Sequence, residues 1–493
     1  MGDIREYTAF PAKYPVILQL FSWDRLRKWI ISISFIFIDY LAIVSAVFTA
    51  FLVRAELLPL FYQEFTVPEV YIYIIIPLAF IFFLHFDRLS LNKLYFWQQA
   101  ERLLKVSIYA MLFIVVILYF SGSAKEISRV FILLVWIFSF SYLAIGRYFL
   151  KKMVTFVEIL QVPTVIIGAG KTAELLLDAF SKNNGSGYKI VGLIEDYPQQ
   201  SPISQRYPII GTFAKAEEAI QQAGVRNALI AAPGLSREEL LNMVYRLQPY
   251  VDNITFVPNL FGIPVSSMEL ETLFNEKTVL LKIKNNLAQI QNRIFKCIFD
   301  CICSILGLIV VMPLLVIISL LIYVDSPGPV IFAHRRVGYK GEMFSCYKFR
   351  TMDINSQEIL TEHLAKNADA REEWQRDFKL RDDPRITRVG RFLRKTSLDE
   401  LPQFFNVLRG EMSLVGPRPI VQDEVPRYGD YITDYYLVRP GITGIWQVSG
   451  RNEIDYPERV KMDSWYVRNW SLWMDIVFLV KTVKVVFKGN GAY

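Results

Sequence analysis

Residues 390–419 read GRFLRKTSLDELPQFFNVLRGEMSLVGPRP, and the interpretation of the last third of the chain depends on this stretch. Two adjacent acids, Asp399 and Glu400, lie near its centre. Cations flank them on both sides, namely Arg391, Arg394, Lys395, Arg409 and Arg418. Ser397 and the two acids have the pattern of a helix start, with Pro402 in its first turn. Because a helix N-terminus is electropositive and its free N–H groups bind phosphate oxygens, the stretch predicts ionised carboxylates in a phosphate-binding setting.

The same residues allow a purely structural interpretation. Ser397 and Glu400 have the spacing of a capping box, in which each side chain accepts a hydrogen bond from the other residue's backbone N–H at a helix start. Such a pair needs no catalytic role. The stretch alone therefore leaves both interpretations open, and the rest of the chain must separate them.

The composition indicates a membrane protein. Of the 493 residues, 53% are hydrophobic and 20% are charged, and the mean hydropathy is +0.30, which is too apolar for an ordinary soluble enzyme. The net charge of +7 fits anionic lipid or phosphate ligands better than nucleic acid. The four cysteines form no C-x-x-C pair and the three histidines form no zinc motif. Any catalytic metal is therefore expected to be a hard cation held by carboxylates and phosphates.

Four apolar segments in residues 1–155 predict a four-helix transmembrane domain. They are 30–53, 70–86, 104–121 and 129–150. The first is expected to be an anchor, because no small-residue cleavage site follows it. Cations are concentrated before the first segment, between the second and third, and after the fourth, where they are Arg147, Lys151 and Lys152. By the positive-inside rule, the N-terminus and the chain after residue 152 are predicted to be cytoplasmic.

Residues 156–275 contain short β-branched runs that alternate with amphipathic stretches, which predicts a Rossmann-like α/β domain. The first run, PTVIIGAG, leads into a G-x-G-x-x-A motif at Gly168 and Gly170 that fits a dinucleotide-binding fingerprint. Glu195 or Asp196 follows at about the right distance for a ribose contact. The same turn is also used for packing alone, so a bound nucleotide and a structural turn both stay open.

A fifth apolar run, residues 293–324, lies at the start of the last predicted domain, residues 276–493. Lys296 and Asp300 begin this run, Pro313 lies in its middle, and cations follow its end. Both ends are thus expected on the cytoplasmic side, and the proline allows a kink. We therefore predict a re-entrant helix-break-helix that enters and leaves by one leaflet, in a mixed α/β membrane-associated domain.

The C-terminal segment, residues 456–488, predicts helices that lie on the membrane surface. It contains Trp465, Trp470 and Trp473 and ends in lysines, which is typical of an interfacial segment. For any single helix, an amphipathic face packed on the domain is the alternative.

A series of arginines leads directly into the Asp-Glu pair. Arg385, Arg388, Arg391 and Arg394 have helix-like spacing. Phosphoryl transfer needs cations on the non-bridging oxygens, a divalent metal and an in-line nucleophile, and carboxylates serve as covalent nucleophiles toward phosphorus. The sequence contains no P-loop, no G-x-S-x-G elbow and no H-x-E with P-C-x-x-C. P-loop ATP hydrolysis, serine esterase chemistry and zinc deamination are therefore excluded.

Three motifs in the last domain resemble those of the polyprenyl-phosphate sugar-1-phosphate transferases of bacterial glycan assembly. They are HRRVGYKGEMFSCYKFRTM, KTSLDELPQFFNVLRGEMSLVGPRP and RPGITGIWQVSGRNEIDY, and the similarity covers about residues 290–493. The four helices and the Rossmann-like insert resemble the large, multidomain form of the family. LLKIKNNLAQ and the final GAY are most similar to its undecaprenyl-phosphate galactose phosphotransferases.

The resemblance implies transfer of a sugar 1-phosphate from a UDP-sugar to undecaprenyl phosphate at the cytoplasmic face, with release of UMP. The overall similarity favours galactose 1-phosphate as the group that is transferred. Asp399 would be the nucleophile on the β-phosphate, and Glu400 would help to hold Mg²⁺ or assist the lipid phosphate. The phosphate-binding residues it implies are Arg394, Arg418 and Arg391. The residues that it implies for the re-entrant helix are Lys296, Asp300 and Pro313. Relatives also suggest a homodimer.

Two other classes of protein share some of these sequence features. A membrane-anchored NAD(P)-dependent nucleotide-sugar dehydratase or epimerase needs Tyr-x-x-x-Lys after its nucleotide fold. The only such spacing, Tyr148 to Lys152, precedes the fold. A regulatory or scaffolding protein that senses a nucleotide fits residues 1–275 and leaves the last third unexplained.

Overall fold

The computed structural model describes residues 23–57, 67–87, 89, 96–123, 127–156, 161–182, 188–197, 202–257, 268–273, 278–283, 286–367, 371, 380, 383–450 and 454–488. The chain forms two compact units, residues 1–259 and residues 260–493. The first unit contains the N-terminal apolar helices and an α/β domain. The second contains the Asp-Glu motif and the fifth apolar run.

Apolar helices make up the beginning of the first unit: α1 (Trp23–Leu52), α2 (Ile76–Phe86, continuing from the π-helix Tyr71–Ile75), α3 (Phe96–Phe120) and α4 (Arg129–Phe156). Stretches long and apolar enough to cross a membrane are Ser32–Glu56, Phe96–Phe120 and Arg129–Leu150. The apolar stretch Tyr71–Phe86 is shorter. The predicted helical region is confirmed, although α3 begins at Phe96 and not at residue 104.

A buried ion pair joins α1 to α4. Arg147 donates from Nε to Asp39 Oδ1 at 2.9 Å and from Nη2 to Asp39 Oδ2 at 2.6 Å. The Arg147 side chain is 1% exposed. The prediction that Arg147 follows the fourth helix is wrong. Arg147 lies inside α4, where an apolar bundle tolerates a charge only when the charge is paired.

The α/β domain follows. Its strands are β1 (Val162–Ile167), β2 (Tyr188–Ile194), β3 (Ile209–Gly211), β4 (Asn227–Ile230) and β5 (Asn253–Phe256). Its helices are α5 (Lys171–Lys182), α6 (Ala216–Gln222) and α7 (Arg237–Leu247). The sheet order is β3-β2-β1-β4-β5, and all pairs are parallel. Apolar side chains of β1 enter two separate buried clusters, so the sheet is covered on both faces. The predicted Rossmann-like domain is confirmed.

The second unit is built from short strands and helices around one long helix. Its strands are β6 (Met268–Leu273), β7 (Thr278–Ile283), β8 (Ile331–Val337), β9 (Met343–Phe349), β10 (Ser413–Val415) and β11 (Gly441–Thr443). Its helices are α8 (Ile290–Asp325), α9 (Ser356–Lys366), α10 (Arg388–Thr396), α11 (Gln403–Leu408), α12 (Val425–Tyr428), α13 (Ile432–Tyr436), α14 (Ile445–Ser449), α15 (Tyr456–Asn469) and α16 (Leu472–Lys488). β6 with β7 and β8 with β9 form antiparallel hairpins, and β10 pairs with β11 in parallel.

α8 is continuous through Pro313. One stripe of the helix is buried, formed by Lys296, Asp300, Ser304, Leu308, Leu315, Ile318 and Ile322. The other faces carry exposed apolar side chains such as Ile309 and Val310. Pro313 therefore does not divide this segment into two separate helices, because one missing backbone donor leaves the rest of the hydrogen-bond ladder intact, and a kink at Pro313 stays a prediction. The re-entrant path of α8 stays a prediction.

Candidate active site

Asp399 and Glu400 lie in a single 3-10 turn, Leu398–Glu400, between α10 and α11. Ser397 ends α10 in the left-handed conformation, with φ 58°, and its side chain makes no capping hydrogen bond. The capping-box interpretation is therefore wrong. Ser397 ends α10 and leads into the 3-10 turn, whereas α11 begins only after Pro402. The acidic pair is thus held on a tight turn with a helix on either side.

Lys348 of β9 connects the two acids. Its Nζ lies 2.6 Å from Glu400 Oε1 and 4.0 Å from Asp399 Oδ2. In the sequence, Lys348 is recognisable only as one of the cations that follow the fifth apolar run. Its register in the hairpin, where it lies opposite Phe332, is what directs it to the turn. The residues of β9 do not alternate regularly between buried and exposed positions, so the strand period alone does not predict where the Lys348 side chain lies.

Burial raises the pKa of Asp399 to about 6, and the neighbouring Glu400 carboxylate adds to the effect. The positive charges of Lys348 and Arg394 oppose it. The sequence predicts that the positive end of a helix keeps this carboxyl group ionised. The burial of the side chain, which is 15% exposed, is the larger effect here. Asp399 is therefore a carboxyl group whose protonation changes close to neutral pH.

The predicted arginines separate into different environments. Arg394 is largely buried, and its Nε donates to Thr351 Oγ1 at 2.9 Å. Burial lowers the pKa of Arg394, while the Asp399 charge opposes the change. Arg391 is exposed on α10. Arg385 lies outside the helix and is paired with Asp383, with Nη2 2.6 Å from Oδ2. The predicted four-arginine helix face is thus wrong at Arg385.

A small, open cleft lies beside the acidic turn. Polar side chains that line it are Arg336, Lys348, Glu400, Gln403, Arg418 and Gln447. Arg418 is exposed, with its guanidinium carbon 5.9 Å from the centre of the Trp446 ring. The structure thus places Arg418 and Glu400 in the lining of one cleft, and the phosphate-binding role of Arg418 stays a prediction. It adds Arg336, whose place on a hairpin strand gave no signal in the sequence.

The start of α8 is bonded to the same part of the unit. Lys296 Nζ lies 2.7 Å from Asp475 Oδ2 of α16 and donates to the Val415 carbonyl of β10 at 3.1 Å. Asp300 accepts a hydrogen bond from Ser413 Oγ at 2.7 Å. Both residues predicted for the apolar helix therefore attach it to the strand that precedes Pro417-Arg418-Pro419.

The C-terminal helices exist as predicted, but their tryptophans differ. Trp465 is 45% exposed, whereas Trp470 is 3% exposed. The Trp470 indole donates to Asp475 Oδ2 at 3.0 Å. The interfacial role predicted for Trp470 is therefore wrong, because its N–H satisfies a buried carboxylate.

The glycine turn of the α/β domain is closed by the protein's own carboxylate. Glu195 accepts hydrogen bonds from the backbone N–H of Ala169 at 2.7 Å and of Asp196 at 3.0 Å. Gly168 has a φ of 97°, and a Cβ there would lie 3.0 Å from the Ala231 carbonyl oxygen. Gly168 is thus needed for close packing against β4, while a Cβ on Gly170 would meet open space. The acid predicted for a ribose is engaged with the turn itself.

Known proteins resemble both units. Residues 291–489 match the bacterial sugar transferase family, and residues 94–258 match a CoA-binding domain family, which takes in α3 and α4 besides the α/β domain. Over 402 residues, 81% of this chain and 83% of the relative, the sequence is 40% identical to an undecaprenyl-phosphate galactose phosphotransferase of Salmonella typhimurium. Over 403 residues, again 81% and 83%, it is 36% identical to a UDP-galactose-lipid carrier transferase of Erwinia amylovora.

A third relative acts on a different sugar. It is a UDP-glucose:undecaprenyl-phosphate glucose-1-phosphate transferase of Escherichia coli, 32% identical over 336 residues, which are 66% of this chain and 68% of the relative. From the extent of these similarities, the chain is a membrane enzyme that belongs to the bacterial sugar transferase family.

Proposed function

We propose that this protein transfers galactose 1-phosphate from UDP-galactose to undecaprenyl phosphate and releases UMP, as the initiating step of a bacterial surface polysaccharide. The observation that carries the proposal is the largely buried Asp399 beside Glu400 and Lys348, two residues that also line a cleft with Arg336 and Arg418. The greater identity to the galactose enzymes than to the glucose enzyme favours galactose. No described contact favours the dehydratase alternative, since its Tyr148 and Lys152 both lie in α4, ahead of the α/β domain.

In this reaction the ionised Asp399 attacks the β-phosphorus of the donor. A bond forms between the carboxylate oxygen and phosphorus, the bond from phosphorus to the bridging oxygen breaks, and UMP leaves with the electron pair. A phosphate oxygen of undecaprenyl phosphate then attacks the same phosphorus, and the Asp399 carboxylate leaves. The product is a sugar linked to the lipid by a diphosphate. Lys348 and Arg394 balance the negative charge gathered at the turn.

We propose Mg²⁺ as the metal, with Asp399 and Glu400 among its ligands. Burial is the main cause of the raised Asp399 pKa and the adjacent Glu400 charge adds to it, and two neighbouring carboxylates of this kind fit a hard divalent cation. Among the described residues, no cluster of three or more His, Cys, Asp or Glu forms a complete metal site. Mg²⁺ commonly takes one or two carboxylates and completes its shell with substrate phosphates, whose charge it neutralises.

We further propose that α8 is re-entrant and that the catalytic domain faces the cytoplasm. Lys296, near the start of α8, is bonded to β10, and Asp325, at its end, accepts the Val389 backbone N–H of α10 at 3.0 Å. Phe404 of α11 packs against its middle at Gly307. A helix crossing the roughly 30 Å hydrocarbon layer would carry its ends to opposite faces, so attachment of both ends to one unit supports re-entry. The loop charges support the cytoplasmic side.

The division into residues 1–155, 156–275 and 276–493, and assembly as a homodimer, are proposed on the family resemblance. Mass measurement of the detergent-extracted protein tests the dimer.

The central test of function incubates membranes containing the protein with undecaprenyl phosphate and single UDP-sugars, and measures UMP release. UDP-galactose should support release that depends on Asp399 and that continues beyond one UMP per enzyme only when the lipid is present. Release from another sugar alone would reassign the donor, and no release from any would refute the proposed reaction.

A further inference from the structure

Two arginines from different parts of the second unit line the cleft beside the acidic turn. Arg336 comes from β8, and its side chain is 18% exposed. Arg418 comes from the loop after β10 and is exposed. Glu400 and Lys348 line the same cleft. An anion in this cleft would therefore meet both guanidinium groups and the catalytic turn together.

Arg336 is fixed by partners on one side only in the described contacts. Its Nη1 donates to the Pro419 carbonyl at 3.2 Å and lies 3.9 Å from Glu424 Oε2. Burial lowers the pKa of Arg336, and the positive charge of Arg418 lowers it further. Two cations held close enough to repel are stabilised when an anion binds between them.

Lys348 differs from these two arginines because it is already engaged. Its ammonium is 2.6 Å from Glu400 and 4.0 Å from Asp399. Its positive charge is therefore already directed at the acidic pair. The two arginines are left for another part of a diphosphate ligand.

We propose that Arg336, with Arg418, binds the α-phosphate of the donor, which becomes the phosphate of the departing nucleotide. This deepens the proposed function and rests on it. When the bond between the β-phosphorus and the bridging oxygen breaks, that oxygen gains negative charge on the UMP that leaves. A planar guanidinium can donate two parallel hydrogen bonds to such a phosphate, which a lysine cannot do. The clamp stabilises the leaving group without proton transfer.

The neighbouring Arg335 provides a matched control. It lies on the same strand, and successive side chains of a strand point to opposite faces. Arg335 is exposed, whereas Arg336 is largely buried at the cleft. Replacing either by Met removes one positive charge from β8, and only the Arg336 change removes it from the cleft.

The test measures binding of UMP to the purified full-length protein by calorimetry, so that it does not depend on turnover. Arg336→Met should weaken UMP binding about tenfold or more, because the phosphate loses charge-assisted hydrogen bonds from the guanidinium. Arg336→Lys should recover part of the loss, and Arg335→Met should bind as the unchanged protein does. In steady-state assays the Arg336→Met donor KM should rise and the undecaprenyl phosphate KM should stay the same.

Equal UMP affinity in the unchanged protein and Arg336→Met would overturn the clamp, as would no UMP binding by either. If Arg336→Met does not fold, Arg336→Lys decides, since full UMP affinity there excludes a role for the bidentate fork. An equal rise in both KM values with a lower melting temperature would assign Arg336 a structural role only. If the protein releases UMP from a UDP-sugar but UMP binding does not depend on Arg336, this proposal is refuted and the proposed function stands. If UMP binding depends on Arg336 but no UDP-sugar yields UMP, the proposed function is refuted and the binding role of Arg336 stands.

Discussion

Lys296, on the first turns of the long apolar helix, places its ammonium 2.7 Å from the carboxylate of Asp475, which lies 179 positions later in the chain. Asp475 is fully buried and also accepts hydrogen bonds from Tyr466 at 2.7 Å and Trp470 at 3.0 Å. An ion pair with so many partners fixes α8 against α16. It also fixes β10, because Lys296 donates to the Val415 carbonyl as well.

Breaking this pair from one side should strongly destabilise the second unit. Lys296→Met leaves the Asp475 charge buried without its cation, which typically costs about 3–5 kcal/mol. The melting temperature in detergent should fall clearly. The double variant Lys296→Met/Asp475→Leu should recover much of the loss, because replacing both charges removes the uncompensated one. If the double variant melts lower than Lys296→Met, the pair is not the stabilising contact described here.

Asp399→Asn should abolish UMP release and stabilise the fold above pH 6. The folded-state pKa of Asp399 is raised from 3.8 to about 6. Stability associated with this group is therefore highest below pH 4 and is lost as the pH rises to about 6. Above that pH an ionised Asp399 costs on the order of 2–3 kcal/mol, which asparagine avoids. UMP assays and melting curves at pH 5 and 8 test both parts, with the exposed Asp423→Asn as control. Near-normal turnover would remove Asp399 as nucleophile.

The acidic limb of the pH–rate profile should report Asp399. In the free enzyme kcat/KM should rise with pH through about 6 as the carboxyl group ionises. The positive charge of Lys348 lowers this pKa, so Lys348→Met should move the limb to higher pH besides reducing the rate. Lys340→Met, in the exposed turn of the same hairpin, should leave the limb in place. A limb that moves to lower pH in Lys348→Met would contradict the assignment.

Gly390→Ala should disrupt the attachment of α10 to the chain after β9. A Cβ at Gly390 would lie 2.1 Å from the Thr351 carbonyl oxygen. The helix must then move away from Thr351, which also accepts the Arg394 hydrogen bond. We expect a lower melting temperature and at least a tenfold loss of kcat/KM. Gly234→Ala, where nothing lies within 4 Å of the added carbon, is the matched control. Full activity of Gly390→Ala would show that α10 does not depend on this contact.

NAD⁺, CoA and UDP should not raise the melting temperature of the α/β domain, despite its match to a CoA-binding domain family. Glu195 already occupies the backbone N–H of Ala169 in the glycine turn. Glu195→Ala should destabilise the domain by about 1–3 kcal/mol, since buried N–H groups lose a charged partner. The exposed Glu218→Ala is the control. Stabilisation of the unchanged protein by one of these ligands would refute the closed turn.

Sequence patterns revealed features that repeat along the chain or adjoin one another. The α/β domain was predictable because strand and helix periods alternate from Val162 to Phe256. The Asp399–Glu400 pair was visible because its members are adjacent. The sequence did not predict the positions of Lys348 and Arg336 at the cleft, because they depend on the register of the β8–β9 hairpin. It also did not predict that Glu195 binds the Ala169 N–H, because that contact joins distant segments. The raised pKa of Asp399 was missed because it follows from burial.

The acidic turn packs against α8, whose other faces carry exposed apolar side chains. Leu398, Leu401 and Phe404 pack against the α8 residues Leu308, Leu315, Ile318 and Ile322. In the proposed membrane placement of α8, acyl-chain length and lateral pressure act on a helix that directly supports Asp399 and Glu400. The rate of this enzyme should consequently respond to the physical state of the surrounding membrane, even when the concentrations of both substrates are held constant.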